Sequence, residues 1–182
     1  MDKALLVIDI QNDYFPGGNC ELKGSNEAAE NARKLIDAFR NRGSHVIFIQ
    51  HLSLRPGATY LLPETLGAAI HESVTPQPGE IVFQKNYPNS FRNTGLLEYL
   101  SERQLRQLYI VGMMTHMCVD STTRAAFDFA FDCTIAHDAC ATKALTIGDK
   151  TVAAEDVHWS FLAALNGMFA KVQSTDEIIS TL

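Results

Sequence analysis

No apolar run in this 182-residue chain approaches the ~20 residues that a membrane-spanning helix needs. The first such run, Ala4 to Ile8, has only five residues and is flanked by Asp2 and Asp9, so neither a secretory leader nor a membrane anchor is expected there. Excess positive charge is missing too: 15 Lys and Arg face 21 Asp and Glu, a net charge of −6, which argues against nucleic acid as a partner. The four cysteines, Cys20, Cys118, Cys133 and Cys140, contain no CxxC pair and read as reduced thiols of a cytoplasmic protein. Six histidines, His45, His51, His71, His116, His137 and His158, show neither HxH nor HxxxH spacing. No metal site is therefore expected; His51 with His71 is a conceivable pair, but surface or pocket roles are favoured. Internal repeats, low-complexity tracts and linkers are also lacking, and one domain spanning residues 1–182 is expected. A chain of this size buries roughly 70% of its unfolded surface, enough for a full core without metal or disulfides.

What is present is an alternation of short apolar runs with longer amphipathic stretches, the pattern of βαβ units. Strands are expected at Ala4 to Ile8, His45 to Gln50, Ile81 to Phe83, Leu108 to Val111, Thr134 to Ala136 and Ala170 to Val172. Most are continuous apolar runs, which suits strands covered on both faces. Ser25 is placed to cap a helix whose apolar face comprises Ala28, Ala29, Ala32, Leu35, Ile36 and Phe39, with Gly43 stopping it. Further helical spacing covers 94–103, 119–131 and 152–169. The proline-rich stretch 52–79 has little periodicity and reads as a long excursion, the kind of loop that often carries function. The fold class implied is α/β, with a central, mostly parallel six-stranded sheet.

In such a sheet the ligand crevice lies beyond the carboxyl ends of the strands. Three ends carry reactive groups: Asp9 after the first strand, Lys85 after the third, and Cys118 in the turn following the fourth. Asp9 and Lys85 follow apolar runs, where a charge is costly unless paired. A thiol at a helix start beside an ammonium is expected to have a lowered pKa, and the same turn would aim N–H groups at an oxyanion. Taken singly, each residue also has a plainer reading: Asp9 as a cap or turn residue, Lys85 as a solvated strand end, Cys118 as a small buried hydrophobe.

Four ordered blocks resemble the isochorismatase-like cysteine hydrolases, the family that includes nicotinamidases and N-carbamoylsarcosine amidases. They are Leu6-Val7-Ile8-Asp9-Ile10-Gln11-Asn12-Asp13-Tyr14-Phe15, Lys85-Asn86-Tyr87-Pro88-Asn89-Ser90-Phe91 with Thr94 and Leu96, Gly112-Met113-Met114-Thr115-His116-Met117-Cys118 continuing to Ala126, and His137-Asp138-Ala139-Cys140-Ala141-Thr142. The resemblance implies a three-layer α/β/α sandwich with Rossmann-like topology. It also implies a catalytic triad of Asp9, Lys85 and Cys118, with Cys118 as nucleophile, Asp9 as proton acceptor and later donor, and Lys85 lowering the thiol pKa. An oxyanion hole at the N–H groups of Met114 and Cys118 and a cis peptide from Met113 to Met114 are implied as well. Phe15, Phe91, Thr115 and His116 are expected pocket walls, with Tyr14, Tyr87 and residues of the excursion. Relatives assemble as dimers, tetramers or larger rings, so a homo-oligomer is expected.

One departure is informative. Nicotinamidases carry an Asp-x-His metal motif after the second strand, and here His51 and Ser53 occupy those positions; neither a metal nor a cofactor is expected. Retention of the cysteine favours acyl transfer on a small amide or carbamoyl compound through a thioester. The alternatives are hydrolysis of an isochorismate-like enol ether and a non-catalytic ligand-binding or thiol-redox relative. Asn12, Asp13 and Arg124 are equally readable as structural: Asp13 is placed to cap a turn, and Arg124 lies where a helical carboxylate can pair with it.

Overall fold

The computed structural model describes residues 2–182. Its main sheet comprises β1 (Lys3–Ile8), β2 (His45–His51), β3 (Ile81–Lys85), β4 (Gln107–Met113), β5 (Asp132–Ala141) and, with β6 (Leu145–Ile147) and β7 (Lys150–Val152) forming a separate antiparallel hairpin, β8 (Lys171–Gln173). Every pairing in the six-stranded sheet is parallel, in the order β3-β2-β1-β4-β5-β8. The helices are α1 (Ser25–Asn41), α2 (Leu96–Glu102), α3 (Asp120–Asp128), α4 (Ala154–Leu165) and α5 (Thr175–Thr181). No described helix is long and apolar enough to cross a membrane.

The β1 sequence shows why the strands read as unbroken apolar runs. Leu5 and Val7 enter a core built with α1 and α5, whereas Ala4, Leu6 and Ile8 enter a second core with residues of α2, α3 and α4. Side chains alternate across the pleat and both faces are covered, so both must be apolar. The result is three layers, helices on either side of the sheet. The strand order also fixes a switch point: the chain leaves β1 toward β2 and β3, then returns to place β4 on the other side of β1. A crevice opens where the connections diverge, at the carboxyl ends of β1 and β4.

Local details depart from the sequence expectations. Gly24, at φ 79°, holds the cap position of α1, and Ser25 lies buried inside the first turn with no capping hydrogen bond. The chain enters this helix through a left-handed residue, whereas a serine cap needs extended backbone. The expected helix over 119–131 is preceded by a π-helical turn, Thr115–Val119. That over 152–169 starts later, because Lys150–Val152 pairs in the hairpin, and ends at Leu165, where Asn166 turns to extended backbone. α5 and the hairpin were not anticipated. The former has a legible signal, a capping box in which Ser174 and Glu177 satisfy each other's backbone N–H groups.

Candidate active site

The residue after β1 turns sharply. Asp9 adopts φ 52°, a left-handed conformation that Asp tolerates better than most residues, and its N–H donates to the Ile49 carbonyl at 3.0 Å. This carries its carboxylate under the sheet edge, wholly buried. Lys85, two strands away at the end of β3, extends beneath β2 to bring Nζ within 2.7 Å of Asp9 Oδ2, and neither side chain is exposed. The ammonium also donates to the carbonyls of Tyr87 and Pro88 at 3.2 Å each, and Nδ1 of His51 lies at the same distance. The Asp9 carboxylate takes the Lys85 ammonium as its charge partner on Oδ2 and lies against the Cys118 thiol as well. The carboxylate is thus neutralised by its ion pair.

Cys118 comes from the other side of the switch point. The peptide between Met113 and Met114 is cis, the π-helical turn follows at once, and α3 begins two residues after the thiol. Ligand atoms of Asp9, His51 and Cys118 all lie within 4.8 Å of one another, so the three strand ends singled out in the sequence do converge. A glycine makes this possible. Gly112, at φ 133°, sits so close to β1 that a Cβ there would overlap the Ile8 carbonyl oxygen.

The electrostatics differ from the sequence expectation in one respect. Burial pushes the Cys118 thiol well up, the Asp9 carboxylate adds to the rise, and Lys85 opposes it without prevailing. Burial alone would lower the pKa of Lys85, but Asp9 and Cys118 outweigh it and hold the ammonium charged. His51 is lowered by burial and by its cationic neighbours Lys85 and Arg55, against the pull of Asp9, so it is a neutral imidazole near pH 7. Cys133 and Cys140 are buried and pushed up to about 12, chiefly by desolvation. All four cysteines are free.

Above the thiol lies a cavity of about 500 Å³, within the range of small-ligand sites. Its walls include Tyr14, His51, Tyr60, Tyr87 and Met117, with Arg55, Pro56 and Leu61 from the 52–79 excursion and Cys118 at its base. Four expected wall residues lie elsewhere. Phe15 is buried and stacks on His71 with ring centroids 3.5 Å apart; Phe91 packs into the core against Phe129 and Phe131. Thr115 bonds to His158 Nδ1 at 2.9 Å and His116 to the Thr142 hydroxyl, so both point away from the cavity and brace the thiol's turn. Sequence reasoning missed Arg55 and Tyr60 as individuals, because nothing in an aperiodic loop says which side chains turn inward.

The residues read as structural behave so. The Asp13 carboxylate accepts from the N–H groups of Leu61 and Asn19 at 2.6 and 3.0 Å, pinning the excursion to β1's exit loop. Asn12 donates to the Leu66 carbonyl, and Arg124 pairs with Asp120 along α3. Gln11, fully buried, bonds both the N–H and the carbonyl of His51 and so fixes that residue beside Lys85.

Fold and cavity together define a three-layer α/β protein with a ligand pocket at the sheet's switch point. The chain belongs to the isochorismatase family: the isochorismatase domain model matches residues 3–177. It is 48% identical to the isochorismatase family protein YddQ of Bacillus subtilis over 98% of this chain and 99% of that one. It is 45% identical to a protein of Oleispira antarctica assigned to the isochorismatase hydrolases, whose crystal structure superposes with a TM-score of 0.94 over 98% of this chain and 96% of that one. More distant relatives have named activities. A streptothricin hydrolase of Streptomyces noursei is 30% identical, covering 97% of this chain and 60% of its own length. A ureidoacrylate amidohydrolase of Agrobacterium fabrum is 28% identical over 76% and 75%.

Proposed function

We propose that this protein hydrolyses the C–N bond of a small amide or carbamoyl compound through a thioester on Cys118. The observation that carries the reading is the wholly buried Asp9–Lys85 ion pair, 2.7 Å long, whose carboxylate lies beside the one thiol that lines the cavity. The amidohydrolase named among the relatives supports the bond type.

Chemistry then follows from charge placement. As the substrate carbonyl reaches Cys118, the thiol proton passes to Asp9 and sulfur attacks carbon. Negative charge grows on the carbonyl oxygen, where the backbone N–H groups of Met114 and Cys118 receive it. Collapse of the tetrahedral adduct expels the amine, which takes its proton from Asp9. Water then attacks the thioester, giving a proton to Asp9, and the acid leaves as the proton returns to sulfur. Lys85 keeps Asp9 from carrying an isolated charge in either half of the cycle. Enol-ether hydrolysis needs no thiol, so the buried Cys118 at the cavity base favours acyl transfer.

Intact-mass analysis during incubation with a panel of small amides and carbamoyl compounds tests the reading. A transient acyl adduct that maps to Cys118, and turnover lost in Cys118→Ala with the fold retained, are expected. Substantial hydrolysis by Cys118→Ala would sink the nucleophile assignment.

A further inference from the structure

The turn that carries the thiol is held from behind by side chains of other elements. Thr115, its first residue and wholly buried, shares a 2.9 Å hydrogen bond with Nδ1 of His158 on α4. His116, the next residue, bonds through Nδ1 to the Thr142 hydroxyl just beyond β5. Neither His158 nor Thr142 lines the cavity above the thiol; with Cys140 they line a second, smaller hollow of about 250 Å³ behind the turn. A π-helical turn is a rare element, short where it occurs and concentrated at functional sites. This one enters through Met114, which supplies no side-chain cap, so its orientation depends on such braces. The state of the ring suits the contact. Burial and the neighbouring His137 charge lower the His158 pKa, so the imidazole is neutral near pH 7, and a hydrogen bond to the His137 main chain engages its N–H. That leaves Nδ1 as the acceptor for the Thr115 hydroxyl.

From this we infer that His158 is a positioning residue for the oxyanion hole: by holding Thr115 it fixes where the N–H groups of Met114, immediately before, and Cys118, later in the same turn, are aimed. The inference rests on the proposed hydrolysis, which assigns those two N–H groups to the developing oxyanion. Such donors act because they are aligned before charge appears, and they must stand about 3 Å from the place the oxyanion will occupy. A shift of about 1 Å is enough to cost on the order of a hundredfold in rate. His158 touches neither the reacting bond nor the cavity wall, so its effect is confined to the step in which charge collects on oxygen. The His116–Thr142 contact is a separate brace on the same turn, and it keeps the turn folded when the His158 contact is cut.

Two reagents separate this role from a general structural one. p-Nitrophenyl acetate acylates a thiol through a tetrahedral adduct whose oxygen needs the hole, whereas iodoacetamide alkylates it by displacement at a saturated carbon and needs only the thiol. The full-length protein is treated with each at pH 8.5, modification of the Cys118 peptide is followed by mass spectrometry, and the ratio of acetylation to alkylation rates is compared between variants. His158→Leu and Thr115→Val should each lower that ratio by on the order of tenfold to a hundredfold, with alkylation nearly as fast as in the wild type and the circular dichroism spectrum native. Thr115→Ser, which keeps the hydroxyl, and His158→Asn, whose side-chain carbonyl can stand where Nδ1 was, should restore most of it. The double variant Thr115→Val with His158→Leu should be no worse than either single one, because the two residues act as a unit. A wild-type ratio in either His158→Leu or Thr115→Val overturns the positioning role. So does an equal loss of both reactions, or a loss that neither conservative variant restores, since each marks a brace of the fold alone. If Cys118 of the wild type is alkylated but never acetylated, the hydrolytic reading itself fails and takes this inference with it.

Discussion

Removing the Lys85 charge while leaving Asp9 in place should be among the most damaging substitutions in the molecule. At 2.7 Å, and with an effective dielectric constant of about 20, the two charges attract by about 6 kcal/mol. Most of that attraction offsets the cost of taking both ions out of water. Lys85→Met removes the attraction but leaves the desolvated carboxylate, and the expected loss is about 3–5 kcal/mol. In a protein of this size that corresponds to roughly 6–20 °C in Tm. Replacing both partners, Asp9→Asn with Lys85→Met, removes the penalty together with the attraction. The double variant should therefore fall within about 2 kcal/mol of the wild type, while the proposed reaction predicts no turnover from it. Urea unfolding of the wild type, both single variants and the double variant at pH 7, followed by circular dichroism, gives the coupling energy directly. A coupling below about 1 kcal/mol would refute the argument, because it would mean that the pair is solvated or open in solution.

Two further outcomes rest on other parts of the site. Since burial and Asp9 raise the Cys118 pKa, iodoacetamide labelling of this thiol at pH 7 should be slower than that of a cysteine in a short unstructured peptide. It should keep accelerating above pH 9, where the free thiol, with a pKa near 8.5, approaches its plateau. Lys85→Met should slow it further; labelling at pH 7 faster than the free thiol would show instead a resting thiolate. Gly112→Ala forces a Cβ into the β1 backbone at a positive φ and should cost at least ~3 kcal/mol in urea unfolding; a midpoint equal to the wild type's would show that the close approach of β4 to β1 is not required.

How much of this was legible in the sequence depended on whether the physics was local. β1 is readable because a strand covered on both faces must be apolar throughout, and Leu5, Leu6, Val7 and Ile8 satisfy that without reference to anything distant. Adjacency of β1 and β4 is a global property, and nothing in either segment announces it. The family resemblance, not the spacing, brought Asp9, Lys85 and Cys118 together in advance. The pocket walls failed for a different reason. Thr115 and His116 stand only three and two residues before Cys118, but the π-helical turn rotates them toward His158 and Thr142. Proximity in sequence predicts proximity of backbone, and the direction of a side chain depends on the turn geometry. Arg55 and Tyr60 reach the cavity because Asp13 and Gln11 pin the excursion against the end of β1, contacts between segments that no local pattern records.

The raised thiol pKa changes how Lys85 must work in the proposed reaction. An isolated ammonium beside a thiol would create a resting thiolate. Here the ammonium is committed to Asp9, so the pair presents almost no net charge to sulfur, and desolvation decides the balance. With the thiol pKa raised, the proton stays on Cys118, next to the Asp9 carboxylate. Ionisation becomes favourable only when an electrophilic carbonyl accepts the sulfur's electron pair, because the developing charge then moves off sulfur onto an oxygen that backbone N–H groups can stabilise. Lys85 matters at that moment by leaving the newly protonated Asp9 without an energetic debt to its surroundings: the ammonium retains the Tyr87 and Pro88 carbonyls as partners when the carboxylate is neutralised. Activation is thereby tied to substrate arrival, and the idle thiol is shielded from stray oxidants and alkylating agents.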